Sequence, residues 1–479
     1  MTLPALFRHA ASGSAATLLA LLTTTADALP AAPPPPAEAP CPAGVPEGTR
    51  CLNGRDYLGA WYWIAVPKAW SGVLVMHVHG GPALGEPTLA RVTADLQRWK
   101  VMLQAGHAWA ASSFRQGGFE VLAAAEDTER LRRLAIEAIG STPKRTLLHG
   151  QSWGASVAAR MAERYVTPDL KADRSGPGAA PYDGVLLTSG VLAGATRAYD
   201  VRLDLRAVYQ AVCANHPRPD EPAYPLWMGL PPESRLTRLE LADRVDECTG
   251  VQRKPAERSA AQQRRLDTLV RVLKIPAPAL IEHLQGATWH FQDLTVRKLR
   301  ARNPFGNDGV RYRGSDDDEA LNRAVPRYRA DPSAQVELAR DGDPTGQLLL
   351  PTLSVHAIDD PVAFVEMESR FADVVTEAGA AERLAQAYTR DAEHGYLSDA
   401  AYVSAVDALL DWVGGGPRPT GAALARSCAQ LPARWEPARG CRFVADYQPA
   451  PLDSRVAPRS RPGGDLPAIR PIRPVRSLP

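Results

Sequence analysis

Apolar runs of strand length alternate with amphipathic runs of helix length along this chain. Residues 57–66 form an N-terminal strand or hairpin, and 72–78 (with Val-Leu-Val-Met-His-Val at 73–78) reads as a strand buried on both faces. Residues 87–104 carry helical periodicity, and 107–114 form a second strand. A long helix follows over 122–139, with Glu126, Glu129, Arg130 and Arg133 suited to its exposed face. Short strands are expected at 146–148 and 184–188. The alternation then stops: from 196 to 347 the chain is helical and polar, interrupted by Pro-rich loops. It resumes with a strand at 348–356, a helix at 362–377, a strand at 384–389 and a helix at 399–413. Alternation of this kind predicts an α/β fold with a mostly parallel central sheet and helices on both faces. The interruption predicts a large, mainly helical cap insertion at 196–347 over the strand ends, where ligands of open α/β sheets bind.

The expected organisation is thus a core in two parts, 57–195 and 348–416, around the insertion. A Pro-rich linker and arm (29–56) precede it, and an arm with a disordered Pro/Arg-rich tail (417–479) follows. Residues 1–28 have the form of a secretory signal: Arg8 and His9, an uncharged apolar stretch over 10–22, then Ala26-Asp27-Ala28. The protein is therefore expected to be secreted or periplasmic, with no stable membrane span after cleavage. A hydrophobic content of 45% and a charged content of 23% are ordinary for a globular chain. The formal charge of +2 gives no reason to expect a nucleic acid or an anionic membrane as partner. The six cysteines suit disulfides in an exported chain. Pairing of sequence neighbours (Cys41–Cys51, Cys213–Cys248, Cys428–Cys441) is the simplest of the possible connectivities. No Cys-x-x-Cys pair suggests a structural zinc.

The chemistry concentrates at His149-Gly150-Gln151-Ser152-Trp153-Gly154, a Gly-x-Ser-x-Gly run between a strand and an alanine-rich helix. In that setting Gly150 and Gly154 relieve a tight turn and Ser152 projects its hydroxyl from the strand end as a nucleophile. The Trp153 amide opens the helix and can stabilise an oxyanion. A second amide is available in His77-Val78-His79-Gly80-Gly81-Pro82; Gly81 is the first candidate donor and Gly80 the second, since Pro82 has no N–H. Adjacent aspartates, Asp359 and Asp360, stand at the end of the resumed strand, and His394 lies in a loop after the next one.

Together His79-Gly80-Gly81-Pro82, Gly150-Gln151-Ser152-Trp153-Gly154, Asp360-Pro361-Val362 and His394-Gly395 resemble an α/β-hydrolase over about residues 57–413. The resemblance implies the chain order nucleophile, acid, histidine. Of the ten histidines only His394 follows an acid near residue 360. The pattern His-Gly-x-x-Asp-Pro-Val, common in this fold, puts the acid on Asp360 when His356 is aligned with its histidine; Asp359 stays open. His-Gly-Gly-Pro with Gly-x-Ser-Trp-Gly is similar to the prolyl aminopeptidase family and its tripeptidyl relatives.

The implied activity is hydrolysis of an acyl bond in a small ester or peptide through a Ser-His-Asp triad, with no metal or organic cofactor. Carboxylic esters are placed slightly ahead. An aminopeptidase would need cap carboxylates for a free α-amine, for which Glu282 and 316–319 (Asp-Asp-Asp-Glu) are candidates. An esterase would need an apolar acyl pocket, for which Trp227, Met228, Trp289, His290 and Phe291 are candidates. A non-catalytic binding module on the same fold is the third reading.

Overall fold

The computed structural model describes residues 35–165 and 181–459. The expected signal segment (1–28), the first linker prolines and the end of the basic tail (460–479) lie outside the described residues.

Ten strands form one sheet: β1 (Ala37–Glu38), β2 (Arg50–Arg55), β3 (Trp61–Val66), β4 (Val73–Val78), β5 (Ala108–Ser112), β6 (Arg145–Gln151), β7 (Gly184–Thr188), β8 (Thr352–Ala357), β9 (Leu384–Thr389) and β10 (Phe443–Val444). Their order is β1-β2-β3-β5-β4-β6-β7-β8-β9-β10. From β5 to β9 every pairing is parallel, and the flanking pairings are antiparallel. This is the α/β-hydrolase fold.

Strand alternation divides the core. Leu74, Met76 and Val78 face helices Val121–Ile139 and Trp153–Arg164 on one side. Val73 and Val75 face helices Leu89–Arg98 and Asp399–Val413 on the other. Burial on both faces explains why these strands read as continuous apolar runs. Because β5 and β6 lie on opposite sides of β4, the loops leaving β4 and β6 diverge, opening a crevice at their carboxyl ends. Those ends carry His79-Gly80-Gly81 and Ser152.

Several expected boundaries move. Only residues 61–66 of the stretch 57–66 are strand; the turn before them is held by Asp56 Oδ1, which accepts the Leu58 and Ala60 amides at 2.9 Å. The helix expected at 87–104 breaks at Trp99–Lys100 into Leu89–Arg98 and Val101–Gln104. The helix expected from 362 begins at Met367, because the Val362 and Ala363 amides are drawn to Asp360 Oδ1 at 2.8 and 2.9 Å.

Between β7 and β8 the chain is helical, with its own apolar cluster that includes Leu205, Leu241, Leu269 and Leu284. Side-chain capping at Thr237 and Ser259 starts helices Arg238–Thr249 and Ala260–Leu273. Helix Leu280–Gln285 continues as π-helix over Gly286–His290 and Gln292–Lys298. The disulfides pair Cys41–Cys51, Cys213–Cys248 and Cys428–Cys441.

The start of the Pro/Arg-rich tail, residues 451–459, is ordered, against the expectation of disorder. Leu452 and Val456 are 4% and 0% exposed in the insertion's apolar cluster. Arg455 pairs with Glu366 at 2.9 Å and Arg459 with Asp204 at 2.7 Å. Two apolar residues four apart, interleaved with paired arginines, bury enough surface to order a segment whose Pro/Arg composition alone suggests none.

Candidate active site

Ser152 joins β6 to the helix Trp153–Arg164 with φ 56° and ψ −124°, a conformation that side chains other than glycine rarely adopt. Its surroundings hold it there: its amide donates to the Thr188 carbonyl at 2.9 Å, and its carbonyl accepts from Ala155 and Val191 at 3.0 and 3.1 Å. A β-carbon at Gly150 would stand 2.4 Å from the Gly154 carbonyl oxygen, and one at Gly154 would stand 2.1 Å from that of Val78. Both glycines are thus required by packing against backbone. The turn presents the Ser152 hydroxyl at the floor of the crevice.

Asp360 and His394 reach that hydroxyl from the loops after β8 and β9. His394 Nε2 lies 2.8 Å from Ser152 Oγ, and His394 Nδ1 lies 2.8 Å from Asp360 Oδ2 and 3.1 Å from Oδ1. Since the carboxylate only accepts, Nδ1 carries the hydrogen and Nε2 is left to accept from the serine. Asp360 is buried, whereas Asp359 is exposed.

Gly80 and Gly81 line the same cavity as Ser152. A β-carbon at Gly80 would lie 3.2 Å from Ser152 Cβ and 2.4 Å from Gln151 Oε1, and one at Gly81 would lie 3.8 Å from Trp153 Cε3. The glycines therefore let this backbone close over the serine. The Gly80 carbonyl is held away by Arg91 Nη2, which donates to it at 2.6 Å. The Trp153 amide, first of its helix, has no intrahelical acceptor.

Other groups brace this line, and of these the sequence pointed only to His356, as the histidine that aligns Asp360. His356 Nδ1 donates to Glu368 Oε1 at 2.9 Å and Nε2 to the Ala363 carbonyl at 2.7 Å. Both partners only accept, so the buried ring is an imidazolium; the Glu368 carboxylate raises its pKa against the opposing effect of burial. Its Nε2 stands 3.7 Å from Asp360 Oδ2. His283 Nε2 donates to the Pro361 carbonyl at 2.7 Å, and burial lowers that histidine to about 4, so it acts as a neutral donor. Local pattern could not reveal these pairs, which link separate elements; a His and a Glu twelve residues apart across a strand and a helix were the only trace.

The cavity above Ser152 has a volume of about 510 Å³, in the range of small-molecule sites. Val191, Tyr199, Val201, Phe364 and Met367 supply its apolar wall. Of the insertion's candidates, Glu282 and His290 line it. Trp289 lies under the Arg238 guanidinium at 4.9 Å, and Phe291 stacks on Phe305 at 4.6 Å in the core. Trp227 is packed against the core, and Met228 belongs to a short turn of helix at 226–228. The acidic run is occupied elsewhere: Asp317 caps helix Asp318–Ala324, Asp318 accepts from Ser315, and Asp316 and Glu319 pair with Arg271 and Arg311. Among the described residues no cluster of three or more His, Cys, Asp or Glu is placed to hold a metal ion, and no helix is long and apolar enough to cross a membrane.

No known family profile and no curated protein sequence matches the chain. Among solved structures, a carboxyl esterase from Bacillus coagulans is 13% identical, with 77% of this chain and 99% of that one covered at a TM-score of 0.34. A rice cell wall degrading esterase from Xanthomonas oryzae is 13% identical, covering 76% and 90% at 0.35. A bacterial heroin esterase is 17% identical, covering 83% and 86% at 0.36. At these scores the functional reading rests on the geometry of the site.

Proposed function

We propose that this chain is an exported serine hydrolase that cleaves carboxylic esters. The observation that carries the reading is the unbroken line Asp360–His394–Ser152, with both links at 2.8 Å, on the floor of the cavity. Ser152 Oγ attacks the acyl carbonyl while His394 Nε2 takes its proton. The same proton passes to the departing alkoxide as the tetrahedral adduct collapses to the acyl-enzyme. Water, deprotonated by His394, then releases the acid and frees the serine. Asp360 holds the ring tautomer and stabilises the imidazolium. The amides of Gly81 and Trp153 receive the oxyanion.

Charge in the cavity favours an ester over a free-amine peptide. An aminopeptidase gathers carboxylates about the substrate ammonium, whereas this cavity is lined by one carboxylate, Glu282, and four guanidinium groups, of Arg91, Arg98, Arg202 and Arg238. A binding module would have no use for the complete proton relay. Three disulfides suit the oxidising compartment that the N-terminal segment implies. The test compares p-nitrophenyl butyrate with alanine and proline p-nitroanilides, using purified protein and Ser152→Ala. The reading expects ester turnover that Ser152→Ala abolishes; efficient anilide turnover dependent on a free amine would contradict it.

A further inference from the structure

The cavity carries more positive charge than ester cleavage requires, and among the described residues only Arg91 of its four arginines forms an ion pair. Arg202, on helix Asp200–Cys213, stacks over Tyr199 at 4.3 Å, and its Nη1 donates to His290 Nδ1 at 3.2 Å. Arg238, the first residue of its helix, lies over Trp289 and reaches Gln285 Oε1 at 3.5 Å. Among the described residues neither forms an ion pair, whereas Arg91 pairs with Asp95 at 3.7 Å. Glu282 lines the same cavity, and its charge favours the Arg202 cation without ion-pair contact.

The local structure is shaped around these side chains. A β-carbon at Gly286 would stand 3.4 Å from the Arg202 Cζ, so the glycine makes room for the guanidinium. Gly286 opens the π-helical turn Gly286–His290, a widened geometry often found at functional sites, which brings His290 to the cavity wall. Arginine only donates, so His290 Nδ1 is the acceptor and Nε2 carries the hydrogen. Burial and the two arginines lower His290 to about 3, which keeps it a neutral donor at working pH. Burial lowers the pKa of the Arg202 guanidinium, a cation costly to keep desolvated without an ion-pair partner, and a planar fork matches a carboxylate in two-point contact.

We propose that Arg202 and Arg238, with His290, form a subsite for an anionic group of the substrate, so that the favoured esters carry a free carboxylate apart from the scissile bond. This rests on the serine hydrolase reading above. The carboxylate stays unreacted; its role is to dock the ester so that the acyl carbon meets Ser152.

The test uses two matched pairs of esters. The first is p-nitrophenyl hydrogen glutarate against methyl p-nitrophenyl glutarate, with the charge on the acyl side. The second is 4-(butyryloxy)benzoate against its methyl ester, with the charge on the leaving group. In wild type one pair should show a charged-over-neutral kcat/KM ratio of about tenfold or more, falling to near one in Arg202→Gln and several-fold in Arg238→Gln. Arg238 is exposed, so its variant keeps the test valid even where Arg202→Gln fails to fold. A preference in either pair that these variants remove supports the subsite and says which side of the ester carries the charge. Ratios near one in both pairs, or ratios that both variants leave unchanged, overturn it. An uncharged fluorophosphonate separates the two levels of failure. Labelling of Ser152 without charge preference defeats the subsite alone, whereas no labelling and no ester turnover defeats the hydrolase reading itself.

Discussion

Replacing Asp360 by asparagine keeps the shape of the side chain and removes the property that the proposed relay needs. The Val362 and Ala363 amides donate to Oδ1 at 2.8 and 2.9 Å, so an asparagine must place its carbonyl oxygen there. Its amide nitrogen then takes the place of Oδ2, 2.8 Å from His394 Nδ1. Two donors cannot face each other, so Nδ1 gives up its hydrogen and Nε2 acquires one. A protonated Nε2 cannot accept from Ser152. The expected loss in kcat is about 10,000-fold, equivalent to about 5.4 kcal/mol in the barrier. Asp359 is exposed, and Asp359→Asn should stay within about twofold of wild type. The assay is kcat and KM on p-nitrophenyl butyrate, with a thermal melt of each variant to establish folding. A folded Asp360→Asn enzyme that kept more than about a tenth of wild-type kcat, or a large loss in Asp359→Asn instead, would show that the Asp360 carboxylate does not set the His394 tautomer.

Gly154→Ala sets a methyl against two backbone oxygens, those of Val78 at 2.1 Å and His79 at 2.5 Å. Urea unfolding should report a loss of about 3 kcal/mol or more, against about 1 kcal/mol for Gly140→Ala, where only a positive φ opposes the new side chain. Because the folded pKa of His356 is raised, its stabilisation is complete below the unfolded value of about 6.5 and is lost as pH rises through the folded value. Unfolding free energy should therefore fall more from about pH 6 to about pH 9 in wild type than in a His356→Gln, Glu368→Gln double variant; equal slopes would contradict the imidazolium assignment. Removing the Cys213–Cys248 bridge, which closes a loop of 35 residues, should lower stability by about 3.8 kcal/mol in denaturant titration under non-reducing conditions.

The central strands were legible because Val-Leu-Val-Met at 73–76 and Thr-Leu-Leu at 146–148 are buried on both faces and so lack alternation. The turn at Ser152 was legible for a steric reason: a side chain at Gly150 would strike the Gly154 carbonyl within the turn, and one at Gly154 would strike the Val78 backbone of the neighbouring strand. The chain order of Ser152, Asp360 and His394 also anticipated which groups the fold brings together. What stayed hidden depends on distance along the chain. Arg202 meets His290 across 88 residues, and His283 meets Pro361 across 78, so no local pattern encodes either contact. The insertion stayed unsorted for a related reason. Its aromatics and acids were only candidates for pocket chemistry: Glu282 and His290 line the cavity, whereas Phe291 packs in the core and Asp317 caps a helix, roles that a short window cannot distinguish from ligand contact. The first residues of the tail were misjudged from composition, because Leu452 and Val456 gain their partners only from the folded insertion.

The measurement closest to the central claim is covalent labelling of the purified protein with a fluorophosphonate, with the adduct mapped by peptide mass spectrometry and residual ester turnover followed in parallel. One adduct per chain is expected, on Ser152, formed in proportion to the activity lost and strongly slowed in His394→Ala. An unlabelled Ser152 in a folded chain that still hydrolyses esters, or an adduct on another residue, would contradict it.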